Sequence, residues 1–164
     1  MKTPYKYIVT DPCYILSEEK WAECCKILDT EEENVAIYKR FNHAVAQALT
    51  ELTGYPAYAC DTGFGDWNNE ISGISVIHEK FCADSGMVCV CRLTKDLEGH
   101  LAKISANPYS YIVAMFKGSD DIEVTFDITD KNWTVVKIYD RENRIHIESM
   151  TNDEDDDEDD YDAD

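Results

Sequence analysis

The spacing of apolar residues along the chain predicts two amphipathic helices in its N-terminal third. Apolar side chains recur at intervals of three and four residues between Ser17 and Leu28, and again between Val35 and Thr53. Ser17 is a typical helix N-cap, and Gly54 stands where a C-terminal cap is expected. We expect a further short helix or an irregular crossover over residues 95–106.

Patterns typical of strands fill much of the rest of the chain. Residues 5–10 alternate and are rich in β-branched and aromatic side chains, which predicts a first strand. Residues 71–81 and 87–94 predict a hairpin around a turn at 82–86, and the second arm is so apolar that it is typical of a central strand covered on both faces. Four segments with a period of two follow, joined by short polar turns that predict an antiparallel meander with one wet face: 109–117, 122–129, 133–139 and 145–149.

These elements predict an α+β fold in which two N-terminal helices pack on a mainly antiparallel sheet with a C-terminal meander. We interpret residues 1–150 as a single α+β domain. Residues 151–164 are expected to be an acidic disordered tail, because a run of carboxylates repels itself and buries little apolar area. The chain has neither a long apolar run nor a signal-like N-terminus, so we expect a cytoplasmic protein without membrane association.

The charge of the chain narrows the class of its partners. The formal net charge is −19, and ten of the 34 acidic residues lie within residues 152–164, which leaves 24 acidic against 15 basic residues elsewhere. Such a chain repels phosphates, so direct binding of nucleic acid is not expected. A basic protein surface is the expected electrostatic partner.

The acidic tail is the first candidate binding site. Carboxylates spaced like phosphates could enter a channel built for nucleic acid, with an aromatic ring stacking where a base would lie. The alternative is a solubilising tail that has no fixed partner. The candidate residues are Asp153, Glu154, Asp155, Asp156, Asp157, Glu158, Asp159, Asp160 and Tyr161.

A second candidate site is a pocket formed where turns converge. Several predicted turns place a carboxylate beside aromatic residues, and turns at one end of a sheet can meet around a ligand. The alternative is that these are ordinary turn residues bonded to their own backbone. The residues of this candidate pocket are Asp11, Cys13, Asp66, Trp67 and Asp84.

The seven cysteines do not form a recognisable catalytic or metal-binding pattern. Their odd number and the adjacent pair Cys24-Cys25 favour reduced thiols over a disulfide framework. Zinc binding by Cys82, Cys89, Cys91 and His78 would lack the usual Cys-x2-Cys pairs. A thiolate nucleophile at Cys13 or Cys60 would have no local histidine partner. We therefore predict no catalytic residue, no metal site and no cofactor, and a non-enzymatic protein is favoured over an enzyme.

Four motifs carry a family resemblance. They are the opening Tyr7-Ile8-Val9-Thr10-Asp11-Pro12-Cys13-Tyr14, the helical segment Trp21 to Cys25, the loop residues Gly65-Asp66, and Asp84-Ser85-Gly86-Met87 before the apolar strand. This set resembles a group of small bacteriophage and prophage proteins that have no established activity. The resemblance covers residues 7–94 and implies a phage-associated setting, which places the protein in the host cell.

The charge and the resemblance together lead to one hypothesis of function. A phage-encoded acidic protein would bind and inhibit a basic, nucleic-acid-binding host defence protein, as in anti-CRISPR or anti-restriction inhibitors, and would act partly as a polyanion mimic. The alternatives are a small-ligand or enzymatic domain with its site near Asp11, Cys13, Asp66 and Asp84, or a structural protein of a virion.

Overall fold

The computed structural model describes residues 5–29, 35–61, 66–68, 75–76, 80–82, 85–128 and 134–151. These residues form three α-helices, which are α1 (Glu18–Cys25), α2 (Val35–Thr53) and α3 (Lys95–Ile104). They also form ten β-strands, which are β1 (Tyr5–Thr10), β2 (Tyr58–Asp61), β3 (Asp66–Asn68), β4 (Ser75–Val76), β5 (Lys80–Cys82), β6 (Met87–Arg92), β7 (Ala114–Gly118), β8 (Ile122–Ile128), β9 (Thr134–Asp140) and β10 (Ile145–Thr151).

The strands form two sheets in which every pairing is antiparallel. Sheet A has the order β2-β6-β1-β7-β4, and sheet B has the order β5-β3-β10-β9-β8. The consecutive strands β8, β9 and β10 are neighbours in sheet B, and β8 is at one end of it.

Sheet A packs between the helices and sheet B. Successive side chains of a strand point to opposite faces, so Ile8 and Val9 of β1 enter different core clusters. Ile8 packs in a cluster with Phe41 of α2 and Leu101 of α3. Val9 packs in a second cluster with Ile138 of β9. The three layers therefore leave the opposite face of sheet B, which we call the outer face, pointing away from the core.

The predicted helices agree well with the structure. α2 begins and ends at the predicted residues, and Gly54 caps it with a φ of 79°. The Oγ atom of Ser17 accepts a hydrogen bond from the backbone N–H of Lys20 at 3.1 Å, which confirms the N-cap of α1. α1 itself ends at Cys25, and the chain continues as a 3-10 turn over Lys26–Asp29. None of the helices in the described residues has the length and apolar character needed to cross a bilayer.

The α+β class is confirmed, but the prediction of one sheet is wrong. All six residues of β6 are buried, as expected for a central strand. Its partners are β1 and β2, however, and not the segment that precedes it. The end of that segment, β5, pairs with β3 in sheet B. Residues 71–74 and 77–79 of the predicted hairpin arm lie outside the described residues.

The predicted four-stranded meander is also divided between the sheets. Its first strand becomes β7, which pairs with β1 and β4 in sheet A, and residues 108–111 form a 3-10 helix. Only β8, β9 and β10 form a continuous meander. Alternation identifies which residues form strands, but it does not identify the strand with which each one pairs. The assignment depends instead on which apolar face covers which sheet.

Candidate functional site

The outer face of sheet B contains an open groove. Strand pairing aligns its side chains in rows across β8, β9 and β10, because residues directly opposite one another in a ladder share a face. Two rows line the groove, the first with Glu123, Tyr139 and His146, and the second with Thr125, Lys137 and Glu148. The groove has a volume of about 440 Å³. It is therefore an open groove with room for one or two extended side chains of a partner.

Two aromatic rings stack within this groove. The rings of Tyr139 and His146 are cross-strand neighbours, with centroids 4.4 Å apart and planes inclined by 25°. Aromatic faces attract cations through the negative charge of the ring surface. Glu123 lies opposite Tyr139 in the same row, so a carboxylate borders the stacked rings. This combination favours a cationic ligand over an anionic one.

The cations of the outer face are already matched by carboxylates. Lys137 Nζ lies 2.7 Å from Asp127 Oδ2, and this hydrogen bond raises the pKa of Lys137. Arg141 Nη2 lies 3.3 Å from Glu123 Oε2. Across residues 119–128 and 134–148, seven acidic residues stand against three lysines and arginines. The region is therefore negative, and its exposed ion pairs can exchange with the charges of a partner.

A buried carboxylate fixes the start of β8 beside this face. Asp140 accepts hydrogen bonds from the N–H and the hydroxyl of Ser119, at 2.9 and 2.6 Å, and from the side-chain amide of Asn143 at 2.9 Å. Burial alone would raise the pKa of Asp140, but these hydrogen bonds outweigh it and lower the pKa. The hydroxyl of Tyr7 donates to the carbonyl of Ser119 at 2.6 Å. The turn before β8 is thus tied to both sheets.

A buried arginine also holds the same turn. The guanidinium of Arg92 lies between the rings of Tyr5 and Tyr55, 3.9 Å from each centroid. Its Nη2 atom donates to Asp120 Oδ1 at 2.6 Å and to the hydroxyl of Tyr7 at 3.1 Å. We interpret this cluster as structural, because both of the groups that Nη2 reaches belong to the fold itself.

The candidate pocket is partly described, and the part that is described has a structural role. Asp11 is fully buried and accepts hydrogen bonds from the N–H of Cys13 and from the N–H and hydroxyl of Ser85. The structure therefore brings the Asp-Pro-Cys-Tyr turn and the Ser85-Gly86 turn together, but the carboxylate is used to join them. For Asp66 and Trp67 in β3 only the backbone is described, and Asp84 lies outside the described residues.

The described thiols are poorly suited to nucleophilic chemistry. Burial raises the pKa of Cys60 to about 12, and the charge of Asp61 adds to this effect. Burial also raises the pKa of Cys89, as does its side-chain hydrogen bond with Cys91. Within the described part of the chain, no three His, Cys, Asp or Glu side chains are grouped as metal ligands. The six cysteines whose side chains the structure describes are free thiols: Cys13, Cys24, Cys25, Cys60, Cys89 and Cys91.

The acidic tail continues directly from the middle of sheet B. β10 ends at Thr151, and the candidate tail residues Asp153 to Asp160 and Tyr161 follow it outside the described residues. The prediction that they bind a partner therefore stays a prediction. The position of β10 between β3 and β9 means that the tail leaves the same sheet that carries the groove.

Sequence reasoning missed the groove, although one signal for it was present. Alternation in residues 122–128 assigns Glu123, Thr125 and Asp127 to one wet face. What the alternation could not provide is the register that sets Tyr139 opposite His146.

No protein-family model, curated protein or solved structure matches the chain.

Proposed function

We propose that this protein is a non-enzymatic, acidic binding protein whose partner is a basic protein that ordinarily binds nucleic acid. The observation that carries the proposal is the placement of charge. The chain has a net charge of −19, and ten carboxylates follow the middle strand of a sheet whose outer face is itself acidic. The acidic folded face and the acidic tail sequence would each attract a positively charged surface.

The groove and the tail would contribute differently to binding. The tail supplies long-range attraction and charge-assisted hydrogen bonds to lysine and arginine. The groove supports recognition of individual side chains, because a guanidinium or ammonium placed against Tyr139 and His146 would also lie close to Glu123 and Glu148. Specificity would come from this face, and the rate of association from the total charge.

The biological version of this proposal is inhibition of a host defence protein. The resemblance of residues 7–94 to phage and prophage proteins supports a phage-encoded inhibitor that acts in the host cytoplasm. A CRISPR effector or a restriction nuclease has the basic nucleic-acid channel that an acidic tail would enter. Inhibition would then follow from competition between the tail and the nucleic acid.

The proposal is tested by capture of partners from bacterial extract at low and at high salt. Three immobilised proteins are compared: the full chain, a form ending at Thr151, and a full-length form in which the ten acidic residues of 152–164 become Asn or Gln. We expect the full chain to retain a nucleic-acid-binding protein at low salt and to release it at high salt. Both altered forms should retain far less. Equal retention and equal salt dependence in all three would exclude the tail as a polyanion mimic.

A second experiment tests the groove separately. Glu148→Gln and Tyr139→Leu alter the charge and the aromatic stack while keeping the strand pattern of sheet B. Glu18→Gln is the matched control, since Glu18 is an exposed acidic residue on α1, in the helical layer. We expect both groove variants to weaken capture at low salt and the control to leave it unchanged. If Glu148→Gln and Glu18→Gln weaken capture equally and Tyr139→Leu leaves it unchanged, only the total charge matters.

A further inference from the structure

In the part of the chain that the structure describes, strand β8 is the edge strand of sheet B. It is seven residues long and pairs with β9 along its whole length, from Ile122 opposite Asp140 to Ile128 opposite Thr134. Among the described residues, β9 is its single strand partner. The free side of such a strand carries backbone donors and acceptors that can pair with another extended segment.

The register shows which backbone groups are on the free side. The N–H of Arg141 donates to the carbonyl of Asp121 at 3.0 Å, one step before Ile122 pairs with Asp140. Hydrogen-bonded and non-hydrogen-bonded pairs alternate along an antiparallel ladder. Residues 123, 125 and 127 therefore bond to β9. The backbone N–H and C=O groups that point to the free side belong to Ile122, Val124, Phe126 and Ile128.

β8 lacks the usual protection of an edge strand. Natural edge strands are commonly short, or carry proline, lysine or a bulge that prevents another strand from pairing. Residues 122–128 contain no proline, lysine or glycine, and their pairing with β9 runs without interruption. The side chains of Val124 and Phe126 are only partly buried at the margin of the core. An added strand would cover both of them and satisfy the free backbone groups.

The charge of the edge indicates what kind of strand fits. Residues 119–128 contain four acidic residues and no basic residue. Glu123 and Asp127 lie on the outer face, with Thr125 midway between them. A second copy of β8, paired antiparallel about Thr125, would place Glu123 opposite Asp127 of that copy, which is repulsive. A strand with lysine or arginine at alternate positions would instead place cations opposite both carboxylates.

We propose that β8 is a strand-addition site for an extended segment of the basic partner in which lysine or arginine alternates with apolar residues. The apolar side chains of that segment lie on the inner face beside Val124 and Phe126, and its cations lie on the outer face beside Glu123 and Asp127. This inference rests on the proposed function for the charge of the partner, and it adds the mode of recognition.

The first test uses peptides of equal composition with the full-length protein. A heptapeptide of alternating Lys and Val is compared with one in which four Lys precede three Val. We expect the alternating peptide to bind about tenfold or more tightly, since backbone pairing adds to the charge. It should also slow hydrogen exchange at the N–H groups of Val124 and Phe126. Equal affinity of the two peptides would overturn the strand-addition site but leave the proposed function standing, whereas no binding of either would contradict both.

A second test locates the backbone contact on the peptide. The peptide valines share a face with Val124, so they form the hydrogen-bonded pairs with β8 and their N–H groups point toward it. Methylating the backbone nitrogens of the valines should abolish the advantage of the alternating peptide. Methylating the backbone nitrogens of the lysines, which point away from β8, should preserve the advantage of the alternating peptide. The opposite outcome, or no difference, would refute the assigned register.

A third test blocks the edge on the protein. Val124→Pro removes one N–H on the free side and leaves the hydrogen bonds to β9, which is the placement that proline tolerates in edge strands. Val124→Ala controls for the lost side chain. Circular dichroism establishes that both variants are folded. We expect the proline variant to bind the alternating peptide about tenfold more weakly than the alanine variant. Should the wild type be a dimer that only the proline variant dissociates, the occupant would be a second copy and the proposal would be wrong.

Discussion

Replacing Asp140 by Asn removes the charge that anchors the start of β8 while it keeps the size of the side chain. One oxygen of Asp140 accepts from the N–H of Ser119 and from the side-chain amide of Asn143, both at 2.9 Å. The other accepts from the hydroxyl of Ser119 at 2.6 Å and from the N–H groups of Glu142 and Asn143, both at 3.1 Å. If the NH2 group of the new Asn takes the place of the first oxygen, it faces two N–H donors. If it takes the place of the second oxygen, it faces one hydroxyl and two N–H donors.

The magnitude follows from those lost contacts. A hydrogen bond to a charged acceptor contributes about 1.5–3 kcal/mol, and the variant loses two of them. The lower cost of burying a neutral amide partly offsets this loss. We expect the variant to lose about 3 kcal/mol of unfolding free energy in urea, followed by circular dichroism. Asp121→Asn is the matched control, because Asp121 pairs with Arg141 at the surface and its side chain is 56% exposed. A loss in D140N no larger than in D121N would refute the anchoring role of Asp140.

The same pair of proteins has a defined pH dependence. The pKa of Asp140 is lowered in the folded state, whereas in the unfolded chain it is near the ordinary value of about 3.9. Its contribution to stability is therefore complete well above pH 3.9 and is lost as the pH falls through the lowered pKa. The stability difference between wild type and D140N should shrink on acidification. A difference that stays constant would mean that the charge of Asp140 is not the source of the stability.

Three further predictions concern local features of the fold. Gly99→Ala in α3 should stabilise the protein by about 0.5–1 kcal/mol, because a helical glycine is unfavourable and a Cβ there meets nothing within 4 Å. Gly54→Ala should cost about 1 kcal/mol, because the φ of 79° is strained for alanine although a Cβ there also has space. Urea unfolding measures both changes in the free energy of unfolding. Cys60 should react with iodoacetamide at pH 8 far more slowly in the folded than in the unfolded protein, because burial raises the pKa of its thiol to about 12. Mass spectrometry follows the labelling, and equal rates in the two states would show that the thiol is not shielded.

Local elements were predictable because their signals lie within a few residues of one another. The stripe of apolar residues and Gly54 define α2, and alternation with β-branched residues defines β1. Pairing was not predictable in the same way. β6 pairs with β1, some eighty residues earlier, and β7 joins sheet A although it directly precedes β8 of sheet B. Period-two alternation is the same for either sheet, so it cannot decide between them.

The candidate pocket illustrates the same difference between local and distant information. One alternative from the sequence grouped the turns that contain Asp11 and Asp84 around a pocket, and the structure shows Ser85 donating hydrogen bonds to Asp11. The pocket itself stays a prediction. Sequence alone could not show that the carboxylate of Asp11 is buried and accepts hydrogen bonds from both Cys13 and Ser85. The acidic face was visible in the sequence as an excess of charge and as the alternation of residues 122–128. Its groove depends on the registers between β8, β9 and β10, because these align Tyr139 with His146.

The charge that favours a basic partner also explains how an unprotected edge avoids pairing with itself. Strands in a sheet lie about 4.8 Å apart, which is shorter than the screening length of about 8 Å at physiological salt. Glu123 and Asp127 of two paired copies would therefore repel one another even in salt. Glu123→Gln combined with Asp127→Asn removes this repulsion, together with the ion pairs to Arg141 and Lys137, and leaves the free backbone groups of β8 in place. We expect the double variant to self-associate, as measured by sedimentation, and Val124→Pro added to it to restore the monomer. A double variant that stays as monomeric as the wild type would mean that something other than charge protects this edge.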